Sequence, residues 1–410
     1  MSLDRDARLI FTTRAVRMFG YGFVSVVLVL YLAAVGLPDT QIGLLLTLTL
    51  LGDAAISLWL TTHADRVGRR RVLLVGSLLM AGAGLSFAAS TSFAVLIVAA
   101  TIGVISPSGN EVGPFLAVEQ AALSQTIADT RRTRVFAWFN LTGSFATATG
   151  ALAGGTLATV LTSAGNSPVN AYRGVILGYA LVAVLLALLF TRVSPAVEAP
   201  APPEVSVARR LGLHRSQRTV ARLSALFALD AFGGGFVVQS LIAYWFHLRF
   251  GADPGVIGAA LFGANMLAGF SALSAVWIAD RIGLIRTMVF THLPSNVLLI
   301  MVPFMPTLPL AVAVLLLRFS ISQMDVPTRQ SYTMAVVDPD ERSAAAGVTG
   351  IARSIGASLS PLAAAPLIGG VALAGAPFVL AGGLKIVYDL LLYRSFRGLS
   401  ERPGESAKRP

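Results

Sequence analysis

Long apolar runs follow one another along the chain, about a dozen in all, and each is close to the roughly 20 residues that a helix needs to cross a bilayer. Hydrophobic residues make up 55% of the 410 residues and charged residues only 12%. A soluble core could not contain so many apolar runs of this length, so soluble folds are excluded. We therefore predict an all-α, multi-pass membrane protein whose surroundings are the lipid bilayer.

The runs fall into two groups of six, which we number as spans 1 to 12 in chain order. Their approximate ranges are 9–35, 41–62, 71–90, 92–128, 133–161, 171–193, 221–248, 254–278, 284–304, 308–337, 342–367 and 371–394. This arrangement predicts a first six-helix bundle over 1–193, a cytoplasmic linker over 194–220, a second bundle over 221–396 and a cytoplasmic tail over 397–410. The linker is proline-rich and basic, so it is not expected to form a packed core.

The net charge of +11 indicates topology rather than binding to nucleic acid. The arginines cluster in short loops on one side of the predicted spans, together with the linker and the tail, and such an excess marks the cytoplasmic side. We expect an inner (plasma) membrane protein with both termini in the cytoplasm. The chain contains no cysteine, so disulfides and thiolate metal sites are excluded.

The two groups of spans resemble each other in sequence. Phe19–Phe23 reads FGYGF and Phe232–Phe236 reads FGGGF, while the loop Asp65–Gly68 (DRVG) has a counterpart in Asp280–Gly283 (DRIG). An internal repeat of six spans predicts two similar bundles, an arrangement used for alternating access.

Span 4 contains the most unusual stretch of the chain. As one helix, its 37 residues would be about 55 Å long, whereas the hydrocarbon core of a bilayer is about 30 Å thick. We therefore expect the helix to break at the serines, glycines and prolines of 106–114. Ser108 and Glu111 have counterparts in Ser322 and Asp325 of span 10. Interrupted spans at matching positions of two halves indicate a transporter's binding site, and acidic residues within spans indicate function.

Glu111 is the candidate proton carrier, because burial makes a carboxyl group able to exchange a proton near neutral pH. The alternative is a neutral Glu111 that hydrogen-bonds to freed backbone groups. In span 10, Arg318, Asp325 and Arg329 share one helix face, and they form either a binding site or a structural ion pair. Arg14 is expected to extend towards the membrane surface. The other residues expected at the central site are Arg17, Tyr21, Asn110, Glu119, Gln120, Asp230 and Asn265.

No catalytic or cofactor-binding pattern appears in the sequence. The histidines are scattered, so no metal site is predicted, and no glycine-rich loop carries the lysine that would hold ATP. We expect neither an enzyme nor a cofactor, although a membrane enzyme or a lipid scramblase remains an alternative class.

The loop Asp65–Arg70 (DRVGRR) resembles the signature loop of the major facilitator superfamily, and Asp280–Gly283 resembles its weaker second copy. The resemblance covers nearly the whole chain and implies a monomer with two pseudo-symmetric six-helix bundles around a central cavity. It also implies a gating role for residues of the two loops, whereas the alternative is that the arginines only fix the topology. The gating residues so implied are Asp65, Arg66, Gly68, Arg69, Asp280 and Arg281.

Residues 150–155 in span 5 (GALAGG) resemble the glycine-rich motif of the family's antiporters, although Ala151 replaces the usual proline. Close helix packing would also explain these glycines. Residues 93–105 lack the arginine that the family's proton-coupled exporters usually carry. The resemblance favours proton-coupled efflux of a small solute; the alternative is a proton-coupled symporter that takes up a small organic or inorganic anion through Arg17, Arg318 and Arg329.

Overall fold

Apolar runs fold as helices in a bilayer because no water is present to bond free backbone groups. The computed structural model describes residues 5–126, 129–198, 215–338, 341–370 and 372–396, and within them it contains helices and no strands. The α-helices are α1 (Arg5–Ser25), α2 (Leu28–Ala34), α3 (Asp39–Val67), α4 (Arg69–Ala89), α5 (Phe93–Ile102), α6 (Phe115–Thr126), α7 (Asp129–Ser163), α8 (Pro168–Phe190), α9 (Gln217–Gly235), α10 (Gln239–Phe250), α11 (Pro254–Ile282), α12 (Leu284–Met301), α13 (Leu308–Ser322), α14 (Asp325–Ala335), α15 (Arg342–Leu359), α16 (Pro361–Gly369) and α17 (Ala376–Phe396).

Within the described residues, 11 helical segments are long and apolar enough to cross a membrane, and several of them consist of two consecutive helices. Span 4 is the exception, because α5 ends at Ile102 and α6 begins at Phe115. The irregular segment between them contains two glycines in the left-handed region, Gly109 (φ 68°) and Gly113 (φ 79°). The predicted break in span 4 is therefore confirmed.

Interruptions recur at corresponding places of the two sequence halves. Span 1 is interrupted between α1 and α2, and span 7 between α9 and α10, in both cases at the end of the Phe-Gly motif. Span 10 is interrupted between α13 and α14, directly before Asp325. The loop glycines Gly68 (φ 104°, ψ 126°) and Gly283 (φ 86°, ψ 161°) also share a backbone conformation with positive φ. The sequence repeat is thus also a repeat of backbone conformation.

Packing divides the chain into two compact units that do not follow the sequence halves exactly. The first unit contains residues 1–205, 238–266 and 361–372, and in it α10 packs on α2 and α16 packs on α3. The second contains residues 206–237, 267–360 and 373–410. An apolar core in the second unit includes Phe227, Met288, Tyr332, Tyr388 and Leu392. The domain boundaries given by the sequence stay a prediction.

Glycines bring equivalent helix pairs into backbone contact in the two units. In the first unit, a Cβ on Gly150 of α7 would lie 2.0 Å from the Phe19 carbonyl oxygen of α1. In the second unit, a Cβ on Gly356 of α15 would lie 2.3 Å from the Ala228 carbonyl oxygen of α9. These distances are too short for any side chain, so the helices pack this closely only because both positions are glycine.

We expect Gly150→Ala to destabilise the protein by about 1–3 kcal/mol, because the added methyl group would meet backbone that cannot rotate away. Thermal unfolding in detergent measures the effect. Gly82→Ala is the matched control, because a Cβ on Gly82 of α4 would meet no other described atom within 4 Å. Equal melting temperatures for the two variants would contradict this account of α1–α7 packing.

Candidate functional site

A cluster of four charges lies in the first unit around Arg17. Its guanidinium donates to both carboxylate oxygens of Glu119, over 2.7 Å and 2.8 Å, and its Nε donates to Glu111 Oε1 over 2.9 Å. Arg14 Nη1 donates to Glu111 Oε2 over 2.7 Å. Two cations and two anions thus cancel within the bundle, as buried charges require.

Three elements position this cluster. Arg14 and Arg17 stand three residues apart on one face of α1, Glu119 lies on α6, and Glu111 lies in the irregular segment before α6. The cluster also rests on two aromatic rings, since the guanidinium carbons of Arg14 and Arg17 lie 4.3 Å and 4.6 Å from the ring centres of Phe139 and Phe115 respectively. The expectation that Arg14 extends to the membrane surface is wrong, because Glu111 offers it a buried partner.

The broken segment is fixed to the neighbouring helices by hydrogen bonds. The Tyr21 hydroxyl donates to the Val112 carbonyl over 3.0 Å, and the Gly113 amide donates to Asp53 Oδ1 over 2.6 Å. Of the two glutamates, Glu111 has a side chain that is 16% exposed, whereas that of Glu119 is 0% exposed. Glu111 is therefore the acid that a proton can reach.

A second cluster lies in the second unit around Asp230 of α9. Its two oxygens accept from Lys385 Nζ over 2.6 Å and from Arg329 Nη1 over 3.2 Å. The same Arg329 nitrogen donates to Asp325 Oδ2 over 2.8 Å. Asp325 is the first residue of α14, directly after the interruption of span 10. Arg329 follows four residues later on the same helix, so the two side chains lie one turn apart.

The two clusters contain one ion pair at equivalent positions with the signs exchanged. Arg17 in span 1 pairs with Glu119 in span 4, and Asp230 in span 7 pairs with Arg329 in span 10. Arg17 and Asp230 each precede the Phe-Gly motif by two residues, and Glu119 and Arg329 each precede a glutamine. Each unit therefore joins its corresponding helices through a buried ion pair of opposite polarity.

Sequence reasoning missed four residues of the second cluster, namely Lys385, His292, Asn296 and Asp389. His292 Nδ1 lies 2.9 Å from Asp389 Oδ1, and the Asn296 amide donates to Asp389 Oδ2 over 3.0 Å. His292 and Asn296 are one turn apart on α12 and Asp389 is one turn after Lys385 on α17. The one-turn spacing of these polar residues on each helix was the signal that the sequence offered. Nothing in the sequence shows that α12 and α17 face each other.

Other expected site residues lie outside both clusters. Asn265 donates to Gln239 Oε1 over 3.0 Å, and Gln239 donates to Ser25 Oγ over 2.7 Å, so these residues connect α11, α10 and α1. Asn110 is exposed and Gln120 half-buried, and neither side chain bonds to a charge of the first cluster in the described residues. In the same described ranges, no group of three or more His, Asp or Glu residues could hold a metal ion.

The two loops expected to gate the protein differ in their contacts. Arg69 is buried, and its amide donates to Glu198 Oε2 over 2.6 Å, while the Arg70 amide donates to Oε1 over 3.2 Å. Glu198 therefore caps the N-terminus of α4. Arg66, Asp280 and Arg281 are exposed, and the Asp65 side chain lies outside the described residues. Arg281 stacks on the Trp277 ring at 3.3 Å.

A second carboxylate caps a helix in the other unit. Glu341 accepts from the Arg215 and Ser216 amides at the start of α9, over 2.7 Å and 2.8 Å. We expect Glu341→Gln to lower the melting temperature more than Glu198→Gln, because Glu341 is fully buried and less screened by water. Both losses should lie in the range of about 0.3–2 kcal/mol. The opposite order in thermal unfolding would contradict the assignment of these caps.

The chain is similar in sequence to known membrane proteins over most of its length. The Major Facilitator Superfamily profile matches residues 10–361. The uncharacterised membrane protein YJR124C of Saccharomyces cerevisiae is 29% identical, over 97% of this chain and 96% of its own length. The quinolone resistance protein NorA of Staphylococcus aureus is 33% identical over 87 residues, which are 21% of this chain and 22% of NorA.

A solved structure shares the fold. The D-xylose–proton symporter superimposes with a TM-score of 0.71, at 13% identity and over 98% of this chain and 99% of that chain. At this identity the likeness concerns the fold alone.

Proposed function

Because the chain belongs to the Major Facilitator Superfamily, and is thus a membrane transporter, we propose that it exports a small solute in exchange for protons. The observation that carries this proposal is the position of Glu111. It lies in the break of span 4, is partly exposed, and is bound by two arginines of α1. An acid in this position can couple its own protonation to the movement of a helix.

The coupling step follows from the charges around Glu111. A proton on this carboxylate would cancel its charge and weaken its two bridges, which leaves Arg14 without an ionised partner. Arg17 would keep its two bonds to Glu119. The effect of a proton would therefore be concentrated on Arg14 and on the irregular segment, which no helical hydrogen bonds hold in place.

Efflux is favoured by the glycines of span 5 and by the partial similarity to NorA, whose name connects that protein with quinolone resistance. Uptake by proton symport is the alternative, and it would use the same carboxylate with the opposite direction of solute movement. We take the transporter to be a monomer, as the family resemblance implies. The distribution of its arginines supports an inner-membrane protein with cytoplasmic termini. Glu198 accepts a hydrogen bond from the Arg69 amide and so holds the loop before α4 in place. We therefore propose that Arg69 and this loop form the gate.

Everted membrane vesicles test the direction and the coupling together. With an acidic lumen, vesicles that contain the protein should accumulate a fluorescent quinolone, and nigericin should abolish the accumulation. Vesicles without the protein provide the background. Accumulation that survives the loss of the pH gradient, or that occurs only in right-side-out vesicles, would contradict the proposal.

A further inference from the structure

One buried arginine of the second unit has no ion-pair partner among the described residues. Arg318 of α13 is 8% exposed, and its Nε is buried without a hydrogen bond. Within the described ranges, no carboxylate lies within ion-pair distance of its guanidinium; the contact found is with the neighbouring Phe319 ring, at 4.8 Å. Asp325 and Asp230 act on it only through space. Leaving a buried cation unpaired is costly, so a protein that keeps one has a use for it.

Around Asp230, the second unit contains more basic than acidic side chains that are buried or half-buried. The buried or half-buried charged side chains around Asp230 are the basic Arg318, Arg329, Arg353 and Lys385 and the acidic Asp230, Asp325 and Asp389. Four cations against three anions leave an excess of positive charge in this cluster. Asp230 and Asp325 are both bound by Arg329, and neither carboxylate lies within ion-pair distance of Arg318 in the described residues.

A second unpartnered group lies one helical turn from Arg318. Ser322 is 4% exposed and its hydroxyl oxygen is buried without a hydrogen bond in the described part of the chain. Residues four apart share a helix face, so the guanidinium and this hydroxyl can reach the same ligand. Ser322 is the last residue of α13, and the interruption that follows removes part of the helical bonding around it.

We propose that Arg318 and Ser322 form the binding subsite for the anionic group of the transported solute, and that this group is a carboxylate. The planar guanidinium fits a carboxylate through two parallel hydrogen bonds, and Ser322 donates a third. The negative charge of the carboxylate offsets the excess positive charge of the cluster. The inference rests on the proposed function in one respect, that the chain transports a small solute.

Ligand-dependent thermal unfolding of the full chain in detergent tests this subsite at constant ionic strength. Benzoate should raise the melting temperature in a saturable way, and neutral benzamide, of the same shape, should not. Phenyl phosphate distinguishes a phosphate site from a carboxylate site and should bind more weakly. Arg318→Met should weaken the apparent affinity for benzoate at least tenfold, and Ser322→Ala should weaken it severalfold.

The variants without ligand separate a binding role from a structural one. Arg318→Met should melt no lower than the wild type, since it removes an unpaired charge, whereas Arg329→Met should melt lower because it strands Asp325 and removes one of the two partners of Asp230. Arg249→Met, at an exposed position, should keep the full response to benzoate. The proposal is overturned if benzoate fails to stabilise the wild type, or acts equally on Arg318→Met. Because no proton gradient is present, failure of proton coupling would leave this result unchanged.

Discussion

Replacing Arg17 by Met should unfold most of the protein, with a loss of about 3–5 kcal/mol. The side chains of Arg17 and Glu119 are both 0% exposed and share two hydrogen bonds, so the variant strands a carboxylate in a bundle that water does not reach. The yield of monodisperse protein and its melting temperature in detergent measure the loss. It should exceed the loss in Arg14→Met, because Arg14 binds the partly exposed Glu111 instead.

Removal of both charges separates the ion pair from the packing. The double variant Arg17→Met with Glu119→Gln should recover much of the lost stability, because neither charge then remains without its partner. If Arg17→Met alone melts like the wild type, the pair does not join α1 to α6. If the double variant does not recover stability, the loss in Arg17→Met comes instead from the missing contact of Arg17 with the Phe115 ring.

Glu111→Gln should cost less stability than Arg17→Met, because the Glu111 side chain is partly exposed, and it should lose proton-driven transport by more than tenfold. The amide keeps the size of the side chain but cannot exchange a proton, so the bonds to Arg14 and Arg17 no longer change with pH. Exchange of solute across a membrane without a gradient should persist, because it needs no net proton movement. The measurement is solute accumulation in proteoliposomes with and without an imposed pH gradient, where wild-type accumulation should depend on the gradient and that of the variant should not.

Glu119→Gln is the control for position within the same cluster. It should damage folding rather than coupling, because it removes the partner of a fully buried arginine. Pronounced pH dependence that survives in Glu111→Gln would contradict the role of this residue and would direct attention to His292 and Asp389 in the second unit.

The sequence predicted the helices and the break in span 4 well, because these depend on local physics. Apolar length fixes where a chain can cross a bilayer, and the glycines and prolines of 106–114 fix where span 4 must break. The repeat was equally visible in the sequence. Gly68 and Gly283 both have a positive φ, which favours glycine, so both copies of the loop keep a glycine at this position. These features require no knowledge of which helices are neighbours.

The pairing of the charges could not be predicted in the same way. Arg14 was expected to extend to the surface because the predicted span places it near the membrane surface. Only the fold shows that its guanidinium lies 2.7 Å from the Glu111 carboxylate. The contact of His292 with Asp389 also depends on two helices 97 residues apart along the chain. The Arg17–Glu119 and Asp230–Arg329 pairs have opposite polarity at equivalent positions. To predict this, one needs both the sequence repeat and the contacts between helices, and the sequence shows only the repeat.

The proton flux driven by the solute itself tests the central claim most directly. Proteoliposomes with the dye pyranine inside are loaded with a transported solute and diluted into solute-free buffer, and the lumenal pH is followed. We predict that solute leaving the lumen acidifies it, because protons enter in exchange, and that Glu111→Gln abolishes the change. Lumenal alkalinisation would show that solute and protons leave together, and an unchanged pH during solute release would show that transport is not coupled to protons.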